Sequence, residues 1–249
     1  HASVEVLFPD DTFQVGLAVT SHNNGRLSEA TFENYDITDY NWPTSAPSIS
    51  SAPTVWTPSI DIGEVQRDGE FYPEDPATGI TTLKGSGTGT WGSHDSFFFN
   101  NIQKGVDESF SMECYVENWG WNYEFSKGGL MIRDGNDADA ANAFISITGR
   151  EQGVAFQSRG ASGAHTRHHS FHWVESNNVW LKLSKSGSTF TAFYKSDAGD
   201  EWMPVGTTQL ELTGNAVTVG LAVTAGDDRR WSMVQIDVKN FKIQDDSSA

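Results

Sequence analysis

The sequence predicts an all-β protein built from antiparallel strands, and three observations carry that expectation. Glycine fills 24 of the 249 positions, beside 15 Phe and nine Trp, with frequent breaks rich in Ser, Thr and Asn. Apolar residues alternate with polar ones over short runs, the period of two that lines one face of a strand. No stretch of about 12 residues carries apolar side chains at i, i+3, i+4 and i+7, so helix is minor at most.

Taken in order, residues 4–8, 13–20 and 30–37 are three strand-like runs. Residues 39–58, "DYNWPTSAPSISSAPTVWTP" from Asp39, are rich in Pro, Ser, Ala and Thr without periodicity, and read as a linker or extended strap. Residues 59–245 hold about a dozen further runs and are expected to form one complete domain, with 246–249 as a tail. Within it, "WLKLSKSGSTFTAFYKS" sets Trp180, Leu181 and Leu183 before a Ser186-Gly187-Ser188 turn and Phe190, Ala192 and Tyr194 after it, a hairpin signal. The expected core includes Leu130, Ile132, Phe144, Ile147, Phe156, Leu181, Leu183 and Phe193.

One phrase occurs twice. "VGLAVTSHNNG" at 15–25 returns as "VGLAVTAGDDR" at 219–229, and "TFENYDI" at 31–37 returns as "DVKNFKI" at 237–243. The second match aligns Asn34 with Asn240, Tyr35 with Phe241 and Ile37 with Ile243. Residues 1–38 therefore read as the closing strands of a partial repeat, an extra N-terminal strand segment. Three packings suit such a segment: docking on the 59–245 sandwich as a short meander, completing a neighbouring chain, or finishing a preceding domain. The first is the expectation, because the strap is long enough to reach any edge.

The segments "GSGTGTWGSHDSFFF" (85–99), "KGGLMIRDG" (127–135), "GVAFQSRG" (153–160), "WLKLSKSGSTFTAFYKSDAGDEWMPVG" (180–206) and "VTVGLAVTAG" (217–226) follow one another in a recognisable order. Together they resemble the DUF1349-like group of secreted β-sandwich modules. The resemblance implies a concanavalin A/laminin-G-like jelly roll of two antiparallel sheets. It also implies an extracellular or cell-surface module of a larger repetitive protein, with a glycan or matrix polymer and neighbouring repeats as partners, in recognition or adhesion. Two places depart from the pattern: the long "ENWGWNYEFS" (117–126) and the histidine-rich "AHTRHHSFHW" (164–173).

Charge and composition exclude several classes. With 16 Lys+Arg against 33 Asp+Glu, the net charge of −17 repels nucleic-acid phosphates and anionic membrane surfaces. A single cysteine, Cys114, rules out an intrachain disulfide and a cysteine-rich zinc site. The absence of any apolar run of about 18 residues argues against membrane insertion, so the chain reads as soluble.

Three clusters are candidates for chemistry. In "ENWGWNYEF", Trp119, Trp121, Tyr123 and Phe125 alternate and on a strand would share one face. That face would either offer flat rings to the C–H faces of a sugar, with Asn122 and Glu124 for its hydroxyls, or line the inside of the sandwich. In "RDGNDADAAN", Asp134, Asp137 and Asp139 supply hard oxygen ligands suited to calcium, although the EF-hand spacing is not met, and Asp227-Asp228 is a second acidic loop. In 165–172, His165, His168 and His172 are candidate transition-metal ligands. On a strand, however, His168 and His172 stand roughly 13 Å apart and need help from a bend or another loop.

No Gly-x-Ser-x-Gly elbow is present, and His1 alone does not make a copper-binding terminus. The sequence thus leans towards a non-catalytic module that binds a glycan or matrix polymer. A structural or adhesive repeat without a small ligand, and a metal-dependent enzyme using 165–172, remain as alternatives.

Overall fold

The computed structural model describes residues 59–149, 153–229 and 231–245, within a unit spanning 54–249. The expectations for residues 1–38, for the strap at 39–58 and for the tail at 246–249 lie outside the described residues. Described are fourteen strands: β1 (Ile60–Ile62), β2 (Glu70–Asp75), β3 (Ile80–Gly85), β4 (Phe97–Gly105), β5 (Phe110–Gly120), β6 (Lys127–Arg133), β7 (Asn142–Thr148), β8 (Gly153–Arg159), β9 (Arg167–Trp173), β10 (Val179–Ser186), β11 (Thr189–Lys195), β12 (Met203–Gln209), β13 (Ala216–Thr224) and β14 (Val234–Asp245). No helix occurs among the described residues.

They form two seven-stranded antiparallel sheets in the orders β1-β4-β13-β6-β7-β8-β9 and β12-β11-β10-β5-β14-β3-β2. This is the jelly-roll sandwich that the sequence predicts. The repeated phrase supplies the last two strands, but β13 and β14 do not pair with each other. β13 lies between β4 and β6 in the first sheet, and β14 between β5 and β3 in the second. Asn240 adopts φ 53° where the β14 register shifts between Lys239 and Lys242. Asparagine tolerates this left-handed conformation far better than most side chains do.

Alternation explains the shared core. Leu130, Ile132, Ile145, Ile147 and Phe156 from the first sheet meet Met112, Cys114, Val116, Leu181, Leu183 and Phe190 from the second. The β10–β11 hairpin turns at Gly187-Ser188 as expected, with Ser186 opposite Thr189. One core expectation needs correction, and a second is met outside the space between the sheets. Phe193 is one residue out of phase with the buried Phe190, Ala192 and Tyr194, so it faces away from the core. Phe144 is buried, but against a second apolar cluster on the outer face of the first sheet, with Ile62, Phe97, Phe99, Met131 and Ala222.

That second cluster exists because loops cover the outer face of the first sheet. β6, β7 and β8 are consequently buried at every position, where an antiparallel sheet with one solvated face would alternate. Beside the cluster, Asp95 accepts from both Arg133 and Arg159, and both guanidinium groups are fully buried. Their remaining donors reach loop carbonyls: Arg133 those of Gly135 and Asp137, Arg159 those of Gly92, Ala138, Ala140 and Ala164. Three loops are thereby fastened to one carboxylate.

Burial pushes the Cys114 thiol well above its usual pKa, helped by the neighbouring Glu113. Since the thiolate is the reactive species, Cys114 is expected to resist iodoacetamide in the native protein and to react only in denaturant. Intact-mass spectrometry checks this, and native alkylation at the rate of a free thiol would contradict it.

Candidate functional site: a cleft on the outer face of the first sheet

The covering loops leave one part of that face open as a cleft of about 570 Å³. Strand side chains make its floor: Lys127 from β6, Thr148 from β7, Ala155 and Gln157 from β8, and His168 and Phe171 from β9. Loops raise the walls, with Thr88 and Trp91 between β3 and β4, Glu124 and Phe125 between β5 and β6, and Gly226 between β13 and β14. Trp91 and Phe125 are exposed rings at the lip.

Local packing sets these positions. Gly226 has φ +73°, and a side-chain carbon there would lie 2.2 Å from the Phe125 carbonyl oxygen. Only glycine lets the β13–β14 loop pass against the backbone that carries Phe125. Ser126 completes the join by donating to the Ala225 carbonyl. On the opposite side, the Phe171 ring lies over Gly153 and makes an edge contact with Trp173.

The floor residues from β6, β7 and β8 are nearly buried, whereas His168 from β9 is exposed. Lys127 is 7% exposed, and its ammonium donates to the Phe125 carbonyl oxygen at 3.3 Å. Burial lowers its pKa to about 8. Gln157 is 5% exposed, and its Oε1 has no hydrogen-bond partner; neither has Oγ of the fully buried Ser146. Ser146 lies opposite Ala155 in the β7–β8 register. Desolvation, then the charge of Lys127, holds the His168 pKa below its usual value.

The aromatic segment is divided by the structure. β5 ends at Gly120, so alternation stops before Trp121. Trp119 is 4% exposed, sits in the core and donates through Nε1 to the Thr148 carbonyl. It is unavailable to a ligand, which corrects the expectation of four rings on one face. Trp121 is 42% exposed and lies against Gly149, outside the cleft lining. Asn122 bonds to the Met233 carbonyl and Ser232, while Tyr123 packs edge-on against Phe125 beneath Arg229. Of the proposed ligand-binding set, Glu124 reaches the cleft, together with Phe125.

The metal candidates are not brought together. Asp134 accepts from the Thr213 and Gly214 amides and the Thr213 hydroxyl, while Asp139 accepts from Ser162. Asp137 contributes its backbone carbonyl to Arg133. The histidines are divided by a bulge, because Gln157 opposes His168 while Phe156 opposes Ser170. The extra residue puts His168 with Phe171 in the cleft and leaves His169 stacked on Phe156 and His172 on Tyr194. His165 is exposed in the preceding loop. Among the described residues, no three His, Cys, Asp or Glu groups lie close enough to hold a metal ion.

Trp91, Lys127 and Gln157 were not singled out from the sequence. The available signals were a tryptophan inside a glycine-rich loop, and charged or amide side chains in strands otherwise apolar on both faces, "KGGLMIR" and "GVAFQSR".

No family model matches the chain. No curated protein matches it either. Among solved structures it is similar to a functionally unknown protein from Saccharomyces cerevisiae, at TM-score 0.54 and 14% identity over 74% of this chain and 100% of that one. It is also similar to a GH43 protein from Bacillus licheniformis, at TM-score 0.50 and 14% identity over 71% of this chain and 36% of that one. It thus matches only about a third of the GH43 chain. A carbohydrate-binding module, CBM66, from Bacillus subtilis aligns at TM-score 0.48 and 11% identity over 76% of this chain and 96% of that one. At these identities the likeness is one of fold.

Proposed function

We propose that this domain is a non-catalytic extracellular recognition module that binds a glycan or matrix polymer in the cleft on its first sheet. Membership of the DUF1349-like group belongs to the same proposal. One observation carries the reading: loops close the outer face of the sheet except where rings stand around a hydrogen-bonding floor. Flat rings such as Trp91, Phe125 and Phe171 suit the C–H faces of sugars, and Lys127, Gln157 and Thr148 suit their hydroxyls. The cleft volume lies within the ~300–1,000 Å³ usual for small-ligand sites.

Hydrolysis through a pair of carboxylates needs two acids flanking the bond. Among the described residues lining the cleft, Glu124 is the one carboxylate. Calcium is no part of the proposal, since Asp134 and Asp139 are already engaged by amides and hydroxyls.

Glycan-array screening followed by calorimetry tests the reading. Trp91→Ala and Phe125→Ala are each expected to weaken binding by about 1 kcal/mol, with little change in melting temperature because both rings are exposed. Binding that survives loss of both rings would remove the cleft from the account. No glycan bound at all would favour an adhesive repeat without a small ligand.

A further inference from the structure

We infer that the ligand taken by the cleft is an acidic sugar, a uronate whose carboxylate meets the Lys127 ammonium while a ring hydroxyl satisfies Gln157. This rests on the cleft reading above and names its ligand class. An ammonium has three donors, and the structure accounts for one, given to the Phe125 carbonyl at 3.3 Å. No carboxylate pairs with Lys127 among the described residues, although it is 7% exposed. A buried charge without a counter-charge is costly, and an incoming anion removes that cost. The pKa lowered to about 8 by burial is consistent with such an uncompensated site.

The second observation fixes the rest of the ligand. Gln157 lines the cleft, and its buried Oε1 has no hydrogen-bond partner. Buried polar groups are almost always hydrogen-bonded in the state that functions. An amide oxygen can only accept, so it requires a donor, which a carboxylate is not. The ligand must therefore offer both an anionic group and a hydroxyl donor, beneath walls that favour an apolar ring face. A uronic acid combines all three.

A phosphate fits less well. Phosphate sites use Arg forks or converging backbone amides, whereas here the cationic groups on the cleft lining are one lysine and, when protonated, His168. Exposed Glu124 at the lip and the net charge of −17 disfavour dense polyanions, which points to one carboxylate received at the floor. Charges farther than about 8–10 Å are largely screened at physiological ionic strength, so the global charge does not forbid it.

The test is calorimetry on the full chain with trimers of galacturonate, glucuronate and mannuronate, each beside its carboxyl-reduced neutral counterpart. At least one uronate trimer is expected to bind tenfold or more tightly than its neutral partner. Lys127→Gln should abolish that preference, bringing the uronate and its neutral partner to within about threefold of each other. The variant should still fold, because it removes a buried charge that no carboxylate among the described residues pairs with. Gln157→Leu should weaken both forms together. The preference should also shrink as pH rises through about 8, where Lys127 loses its proton. Glu124 and His168 are the other titratable groups on the lining, and desolvation holds His168 below its ordinary value, away from that window. Neutral trimers binding as well as uronates would overturn the acidic-sugar inference and leave the cleft reading standing. A preference that persists in Lys127→Gln would overturn the role of Lys127. Binding of neither class would overturn both.

Discussion

Asp95→Ala is expected to destabilise the domain by about 3–5 kcal/mol, the usual penalty for removing one partner of a buried ion pair. Asp95 is paired with two fully buried guanidinium groups, with contacts of 3.1 Å to Arg133 Nη1 and 2.9 and 2.6 Å to Arg159 Nη1 and Nη2. Asn142 donates a fourth contact at 3.3 Å. Burial already pushes the Arg133 pKa down, opposed mainly by Asp95. Without the carboxylate, two cations remain buried with loop carbonyls, the Thr166 hydroxyl and the Phe97 ring as their main partners. The same guanidinium groups hold the loops at 92, 135–140 and 164, so the damage should reach Trp91 and the cleft. Urea unfolding of Asp95→Ala and Asp95→Asn measures the effect. A loss below about 1 kcal/mol in both would show that the remaining partners hold the cluster.

The second large effect separates two neighbouring tryptophans. Trp119→Ala should cost about 3–5 kcal/mol, as large aromatic truncations in packed cores do. Its ring crosses the sandwich to Gly128, where a side-chain carbon would lie 3.0 Å from it, and its Nε1 ties β5 to the Thr148 carbonyl of the other sheet. Trp121→Ala should stay within about 0.5 kcal/mol, because that ring is largely on the surface. Thermal melts of the two variants decide the matter. Equal losses would mean that the loop ring is as structural as the strand ring.

These two residues show where periodicity stops being informative. Alternation marked Leu130, Ile132, Leu181 and Leu183 as core because their strands hold a regular pleat. It failed at Trp119 to Phe125 because the strand ends at Gly120, and a period of two carries no mark of its own end. It gave no sign that one bulged residue divides His168 from His172, exchanging the faces of everything beyond it. Phe144 was legible as buried but not as outward-facing, since the second apolar layer is made by loops far from it in sequence. The cleft floor was the least legible part. Lys127, Thr148, Gln157 and His168 become neighbours only through the strand order β6-β7-β8-β9.

The positions of β13 and β14 also bear on how the chain comes to be folded. Each is an interior strand of its sheet, joining β4 to β6 and β5 to β3, yet both come from the last stretch of the described chain. While the polypeptide is still emerging from the ribosome, neither sheet can close, and β3, β4, β5 and β6 each present an edge with no neighbour. Pairings this distant in sequence carry a high loop-closure cost before any contact rewards them, so folding should be slow and cannot be completed before β13 and β14 are made. Until residues 216–245 arrive, the nascent domain is a set of open hydrogen-bonding edges, the species most exposed to self-association and most in need of a chaperone.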